Sequence, residues 1–150
     1  MRIIYLLIFA IFTLLVGVPN LEAEELSSNL GFVESYDIDD VVIDVTISGN
    51  YGYVATGSGL VIIDIEDPAN PTFVGNYDID YVVWSLAISG NYAYLASYIT
   101  DGASGLVIVN IEDPANPTFV AEYDTDAYRL TISGNYAYVT GGNRLVILDI

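Results

Sequence analysis

The amino-acid sequence predicts an all-β fold in which four-stranded antiparallel sheets stack as the blades of a β-propeller. Three observations lead to this prediction. Short motifs recur at intervals of roughly 40 residues, as they do in propeller and solenoid repeats. Each repeat contains four segments rich in β-branched and aromatic residues. No segment after residue 23 shows the 3.6-residue period of an amphipathic helix.

The first 23 residues are predicted to be a secretory signal peptide. Arg2 precedes an apolar run over residues 3–16, and a small residue, Ala23, follows that run. The run is shorter than the roughly 20 apolar residues that cross a bilayer. We therefore expect a secreted or cell-surface protein with a mature chain of 24–150, and an uncleaved membrane anchor is the alternative.

Within one repeat, residue types predict the order of strands and turns. Gly49-Asn50 is the signal of a two-residue hairpin turn between the first two strands. The segment Asp67 to Pro71 must be a turn, because its two prolines donate no backbone hydrogen bond. The predicted strands of the first repeat are 41–47, 51–55, 60–65 and 72–78.

Two motifs set the register of the repeats. Ser-Gly-Asn-Tyr begins at Ser48, Ser89 and Ser133, and Gly-Leu-Val-Ile begins at Gly59 and Gly105. Four short strands cannot bury both of their faces alone, so neighbouring units must stack. The predicted blades are 41–78, 81–124 and 127–150, preceded by an outermost strand at 32–38.

Three blades are fewer than the four to eight of a typical closed propeller. Three arrangements follow. The chain is part of a longer propeller, or two copies build a six-bladed ring in which strand 32–38 of each copy completes the last blade of the other. The third arrangement is an open arc, whose exposed strand edges invite aggregation.

The motifs Gly-Leu-Val-Ile-x-Asp/Asn-Ile-x-Asp-Pro and Gly-Asn-x-Ala-Tyr-Val resemble those of the LVIVD-repeat proteins, a β-propeller group of exported or surface proteins in bacteria and archaea. The resemblance covers residues 29–150. It implies a propeller fold and a location outside the cytoplasm. It does not imply a particular reaction.

Composition excludes several kinds of chemistry. The chain has 3 Lys+Arg against 20 Asp+Glu, a formal charge of −17, and neither histidine nor cysteine. Cysteine nucleophiles, histidine bases and Cys/His zinc sites are therefore impossible. A nucleic-acid interface would need clustered cations to neutralise phosphates, which this chain lacks. Carboxylate, hydroxyl and backbone chemistry remain.

Carboxylates recur with the repeats and are interpreted as structural. Paired aspartates on the links between blades are expected to cap turns, although carboxylates of neighbouring blades could also supply ligands to calcium. The acidic pairs after the third strands are also expected to cap turns. A polar residue that recurs inside the third strand is expected to accept hydrogen bonds from the adjacent turn. These sets are Asp37/Asp39, Asp78/Asp80 and Asp124/Asp126; Glu66-Asp67 and Glu112-Asp113; and Asp64, Asn110 and Asp149.

Aromatic residues and one arginine complete the candidates. Paired tyrosines in the second strands are expected to pack between blades, with sugar-stacking platforms as the alternative. Trp84 is expected in the core, and Arg129 is expected to pair with Asp44 or Asp126 or, less simply, to hold an anionic ligand. The tyrosine pairs are Tyr51/Tyr53, Tyr92/Tyr94 and Tyr136/Tyr138.

The sequence thus favours a non-catalytic exported module for surface structure or for interaction with a protein or glycan. A binding surface is expected on the face that carries the blade-to-blade links and the loop 97–105, which is longer than its counterparts. We assign no catalytic, cofactor or metal residue. The alternatives are a calcium-stabilised adhesion module and a carboxylate-dependent glycoside hydrolase, and a second copy of the chain is a possible partner.

Overall fold

The computed structural model describes residues 31–98 and 104–150, and it confirms the predicted all-β fold. Residues 34–150 form one compact unit. The described residues contain no helix, and hence none that could cross a membrane. The predicted signal peptide 1–23 lies outside them. The strands are β1 (Val42–Ser48), β2 (Tyr51–Thr56), β3 (Gly59–Asp64), β4 (Thr72–Asp78), β5 (Val82–Ser89), β6 (Tyr92–Tyr98), β7 (Ser104–Asn110), β8 (Thr118–Asp124), β9 (Arg129–Ser133), β10 (Tyr136–Gly141) and β11 (Arg144–Asp149).

The strands form three separate antiparallel sheets in chain order. Blade 1 is β1-β2-β3-β4, blade 2 is β5-β6-β7-β8, and blade 3 is β9-β10-β11. In each blade, a two-residue turn joins the first two strands and begins with a glycine at positive φ, which is 58° at Gly49, 55° at Gly90 and 59° at Gly134. A glycine at the first turn position is what a type II′ hairpin requires, so the predicted Gly-Asn turns are confirmed.

The N-terminal segment 32–38 was predicted to be an outermost strand, and the structure corrects this prediction. Residues 31–38 belong to no strand. Blade 3 consequently has three strands, and β11, which pairs with β10, is its outer edge. A β-strand is defined by hydrogen bonds to a neighbour, and the segment has no such neighbour within the described part of this single chain.

One-residue register shifts recur at corresponding places in the blades. On the first strands, Ile43 in β1 and Trp84 in β5 are extra residues opposite the second strand. On the fourth strands, Val74 in β4 and Val120 in β8 are extra opposite the third strand. Each shift is a β-bulge, which breaks the two-residue alternation and re-aims a side chain.

Apolar side chains fill the spaces between successive blades. One cluster joins blades 1 and 2 and includes Tyr53, Ile62, Leu86 and Val109. A second cluster joins blades 2 and 3 and includes Tyr94, Leu106 and Val139, with Leu130 and Ile132 packed against it. The core of the molecule is therefore its blade-to-blade joints, as the stacking argument predicts.

Hydrogen bonds cross the same joints on the first strands. The backbone N–H of Leu86 donates to Asp44 Oδ2 at 3.1 Å, and the hydroxyl of Thr46 donates to the Leu86 carbonyl at 3.3 Å. At the next joint, the backbone N–H of Leu130 donates to Ser85 Oγ at 3.4 Å. The residue at this place on the first strands of blades 1 and 2 thus accepts a hydrogen bond from the following blade.

Candidate binding surface

A cleft lined by aromatic side chains lies where blades 2 and 3 meet. Its lining residues are Trp84, Tyr98, Tyr128 and Arg129, and its volume is about 330 Å³. We call it the aromatic cleft. Trp84 is 45% exposed and Tyr128 is also exposed, so the cleft presents aromatic surface to solvent.

Local backbone geometry explains why Trp84 lies in the cleft. The sequence predicted it in the core, and this prediction was wrong. Its neighbours Val83 and Ser85 are both buried, so Trp84 interrupts a run of inward-facing residues. The register shift between Val83 and Ser85 leaves Trp84 without a partner residue on β6, and the bulge turns its side chain out of the joint.

One ring contact and one hydrogen bond lie at the end of β6 beside the cleft. The Tyr98 and Tyr128 rings have centroids 5.4 Å apart and are tilted by 48°. Ser97, which is buried beside Tyr98, donates a hydrogen bond from its Oγ to the Gly105 carbonyl at 3.0 Å. Tyr98 therefore extends from an anchored strand end.

The aromatic cleft lies on the face that the sequence singled out. Trp84 and Tyr128 follow the blade-to-blade links, and Tyr98 precedes the long loop between β6 and β7. The loop tip, 99–103, lies outside the described residues. Sequence reasoning included Tyr98 only as part of the long loop 97–105 and did not assign its ring a role. A usable signal was present, however: Trp84 and Tyr128 occupy the same repeat position, directly after a link.

Arg129 does not form the predicted ion pair with Asp44 within the described residues. Asp44 instead accepts backbone hydrogen bonds, from Val45 N–H at 3.0 Å with Oδ1 and from Leu86 N–H with Oδ2. Arg129 also lines a groove on the side of blade 3 that faces away from blade 2, together with Tyr138 and Leu145. It therefore lies between the aromatic cleft and that groove.

A second, acidic cleft of about 540 Å³ lies at the start of blade 1, and Asp37, Asp39 and Asp40 line it. The Asp40 carboxylate accepts hydrogen bonds from Ser58 Oγ at 2.8 Å, from Ser58 N–H at 2.9 Å and from Val41 N–H at 2.6 Å. The Ser58 hydroxyl bond, followed by that of Val41, holds the pKa of Asp40 below its usual value. The described residues contain no cluster of acidic side chains arranged to hold a metal ion.

Two of the carboxylates predicted to stabilise turns, Asp67 and Asp113, do so. Asp67 accepts from Ala69 N–H at 3.0 Å and from Asn70 Nδ2 at 2.7 Å, and Asp113 makes the equivalent contacts in blade 2. The Asn70 amide chiefly, with the Ala69 N–H, lowers the pKa of Asp67. Inside the third strands, Asp64 accepts from Glu66 N–H at 2.8 Å, as the sequence predicted. Asn110 accepts from Glu112 N–H at the same distance.

The tyrosine pairs divide between packing and exposure. Tyr53 and Tyr94 are buried in the joints, and burial raises the pKa of each phenol above its usual value. The Tyr51 and Tyr53 rings meet edge to face with centroids 6.4 Å apart. The packing role predicted for these second-strand tyrosines is confirmed at Tyr53 and Tyr94, whereas Tyr92 and Tyr136 are exposed.

Comparison with known proteins agrees with this architecture. The LVIVD repeat matches residues 41–79, 82–125 and 126–150. No curated protein sequence matches the chain. Among solved structures, a chain of the S. cerevisiae complex of a Dbp5 variant with Nup159, a Gle1 variant, IP6 and ADP is similar, with a TM-score of 0.50 and 14% identity over 81% of this chain. The match covers 33% of that longer chain, so this protein spans about a third of its length, and the similarity concerns the fold alone.

Proposed function

Because this chain belongs to the LVIVD-repeat family, we propose that it is a non-catalytic, exported β-propeller module that binds a glycan through the aromatic cleft. Export rests on the N-terminal segment 1–23, whose residue pattern is that of a signal peptide. Glycan binding rests chiefly on one observation: Trp84 is turned out of the core by a bulge and faces solvent beside two tyrosines.

Aromatic rings suit a sugar because they offer flat apolar surface together with a polar edge. Tyrosine and tryptophan combine a large apolar body with one hydrogen-bonding group, so they serve surfaces that are partly wet. Trp84, Tyr98 and Tyr128 line the aromatic cleft together, and the two tyrosine rings are tilted against each other. The C–H face of a pyranose ring can pack against these rings while its hydroxyl groups stay hydrated.

The size of the cleft also favours a small flexible ligand over a folded protein. A volume of about 330 Å³ lies at the lower end of small-molecule sites, which range from roughly 300 to 1,000 Å³. A stable protein interface buries roughly 800 Å² on each partner. One or two sugar residues match the dimensions of the cleft.

The hydrogen bonds in the acidic cleft are those of a turn cap, and they do not favour a hydrolytic site. A glycoside hydrolase needs a pair of carboxyl groups, one of which acts as general acid with a raised pKa. Asp40, the carboxylate with the most hydrogen bonds in this cleft, has its pKa shifted in the opposite direction by Ser58. Its oxygens already accept hydrogen bonds from two backbone N–H groups and one hydroxyl group, as those of a turn cap do.

Trp84 is the single tryptophan of the chain, so its fluorescence reports directly on the aromatic cleft. We expect cellohexaose, xylohexaose or chitohexaose to change that fluorescence in a saturable manner. Tyr128→Ala is expected to weaken binding about tenfold, which corresponds to ~1.4 kcal/mol and lies within the range of one aromatic contact.

Phe119→Ala is the matched control, because Phe119 is an exposed ring on β8 and does not line the cleft. It should bind as the unmodified protein does. The proposal fails if none of the three oligosaccharides binds, or if Tyr128→Ala and Phe119→Ala behave alike.

A further inference from the structure

The aromatic cleft takes its lining residues from two blades. Trp84 in β5 and Tyr98 in β6 belong to blade 2, whereas Tyr128 and Arg129 lie at the start of blade 3. The cleft therefore spans the joint between these blades. A movement of one blade against the other displaces two lining residues relative to the other two, and a ligand that fills the cleft contacts both blades.

A hydrogen bond crosses this joint directly beside the cleft. It connects the residues that follow two of the lining residues, because Ser85 follows Trp84 and Leu130 follows Arg129. The backbone N–H of Leu130 donates to Ser85 Oγ at 3.4 Å. Ser85 is 5% exposed, so water has little access to this acceptor. The bond thus ties together the backbone segments that carry Trp84 and Arg129.

The bulge in β5 couples the direction of the Ser85 side chain to that of Trp84. Trp84 is the extra residue of the bulge, and Ser85 resumes the pairing with β6 opposite Ala96. The two side chains consequently point in different directions, Ser85 into the joint and Trp84 to solvent. A contact that holds Ser85 in the joint therefore also holds the backbone from which Trp84 projects.

The joint between blades 1 and 2 lacks the rings of the aromatic cleft at the corresponding places. The register of the strands aligns Ile43 with Trp84 and Gly57 with Tyr98. An aliphatic residue and a glycine thus replace two aromatic residues. The aromatic cleft is therefore a departure from the repeat and not a property that every joint shares.

The hydrogen-bond acceptor departs from the repeat at the same joint. In blade 1 the acceptor is the Asp44 carboxylate, which the Leu86 N–H reaches at 3.1 Å. In blade 2 it is the neutral hydroxyl of Ser85, at a longer distance. A hydrogen bond to a neutral group is the weaker kind. The joint that carries the cleft is therefore the one whose closure a ligand on both blades can favour more.

Binding and closure of the joint must affect each other equally. A ligand that contacts both blades binds the closed joint better than the opened one, so it stabilises the closed state. By linkage, a change that opens the joint weakens ligand binding by the same factor. Ser85 does not line the cleft, so its effect on a ligand is transmitted through the joint.

From these observations we propose that Ser85 is a positioning residue of the aromatic cleft, and that its hydrogen bond to Leu130 couples ligand binding to closure of the joint between blades 2 and 3. The inference rests on the proposed glycan-binding function for the identity of the ligand. The effect of Ser85 on the direction and mobility of Trp84 does not depend on a glycan and is testable without one.

The first experiment uses the fluorescence of Trp84 without a ligand. Ser85→Ala removes the acceptor, so we expect lower fluorescence anisotropy and stronger quenching by acrylamide, whereas Ser85→Thr keeps a hydroxyl and should restore both. Thr46→Ala is the matched control, because it deletes a hydroxyl hydrogen bond of 3.3 Å across the other joint. It should leave both signals unchanged. Equal signals from Ser85→Ala and the unmodified protein overturn the positioning role.

The second experiment adds cellohexaose, xylohexaose or chitohexaose. Ser85→Ala should raise the dissociation constant about three- to tenfold, the range expected for one hydrogen bond. Ser85→Thr and Thr46→Ala should bind as the unmodified protein does. If Ser85→Ala binds with unchanged affinity, the coupling is refuted while glycan binding stands. If no oligosaccharide binds but Ser85→Ala alters the Trp84 signals, the proposed function is refuted while the positioning role stands.

A third measurement needs no variant and decides the matter if Ser85→Ala does not fold. Amide hydrogen exchange of the unmodified protein, followed by NMR, compares the N–H groups of Leu130 and Leu86, which donate across the two joints. The oligosaccharide that binds should slow exchange at Leu130 more than at Leu86, because it closes the joint beside the cleft. Equal slowing at both amides, or none at Leu130, overturns the coupling.

Discussion

Blades 1 and 3 carry almost the same third strand in opposite environments. Leu60 in blade 1 is 1% exposed, whereas Leu145 at the same repeat position in blade 3 is 60% exposed. Both strands read Leu-Val-Ile and form the same hairpin with a second strand. The comparison teaches that burial in this fold is a property of the neighbouring blade and not of the blade's own sequence.

The two joints between blades differ in the strength of the hydrogen bonds that cross them. Between blades 1 and 2, a carboxylate accepts the Leu86 N–H, and the Thr46 hydroxyl adds a second hydrogen bond. Between blades 2 and 3, a neutral hydroxyl of Ser85 accepts the Leu130 N–H at the longer distance of 3.4 Å. Hydrogen bonds to charged groups are the stronger kind. Blade 3, whose joint to blade 2 has the weaker hydrogen bond, is expected to unfold before blade 1.

Truncation of the corresponding isoleucines should show the largest difference. Ile62→Ala removes a fully buried side chain and leaves a cavity, so we expect a loss of about 2–5 kcal/mol in the free energy of unfolding. Ile147→Ala acts on an exposed position of blade 3 and should change the stability of the single chain by no more than about 0.5 kcal/mol. Urea unfolding at low protein concentration measures both values. Equal effects of the two substitutions at low concentration would contradict the assignment of one face as buried and the other as open.

A smaller difference is expected at the fourth strands. Gly75 in β4 approaches blade 2 so closely that an added Cβ would lie 2.5 Å from the Pro114 carbonyl oxygen. Gly75→Val should therefore force the joint apart and cost about 1–3 kcal/mol. Ala121 has the same register in β8 and already carries a Cβ. Ala121→Val should be nearly neutral, and thermal unfolding of both variants tests the pair. An equally mild Gly75→Val would show that the joint is not tightly packed there.

The repeat motifs were sufficient to predict the blades, their strands and their turns. They predict pairing within a blade because Gly-Asn turns and alternating apolar residues act over a few residues. They did not predict the exposure of Trp84, since a bulge shifts the alternation by one residue and no local signal announces it.

Local sequence patterns also did not predict the structure of the N-terminal segment or the contacts of Arg129. Segment 32–38 resembles a fourth strand, but a strand forms only where a partner edge is available. The pairing of Arg129 with Asp44 was predicted from charge alone, whereas Asp44 accepts hydrogen bonds from the backbone N–H groups of Val45 and Leu86. A partner edge for the segment and the Leu86 N–H both lie far along the chain, and local patterns do not identify such contacts.

The smallest predicted effect is on thermal stability at acidic pH. It compares a turn of blade 1 with the corresponding turn of blade 3. In blade 1, Asp40 caps the turn between β2 and β3 through Ser58. In blade 3, Asp126 lies beside the corresponding turn, where an added Cβ on Gly142 would be 3.0 Å from Asp126 Oδ2. The hydrogen bond from the Ser58 hydroxyl chiefly, with that from Val41 N–H, lowers the pKa of Asp40 below 3.8 in the folded state.

A lowered pKa means that the unfolded chain binds a proton at Asp40 more readily than the folded chain does. The stabilising effect of Asp40 is thus complete well above a pH of about 3.9, its value in the unfolded chain, and is lost as the pH falls through the folded-state pKa. Asp40→Asn removes this titration, so its melting temperature should fall less steeply than that of the unmodified protein below about pH 4. Asp67→Asn, at a distant turn with its own lowered pKa, should act additively with it. A profile of Asp40→Asn parallel to that of the unmodified protein would show that the cap in blade 1 contributes nothing to the acid limit of stability.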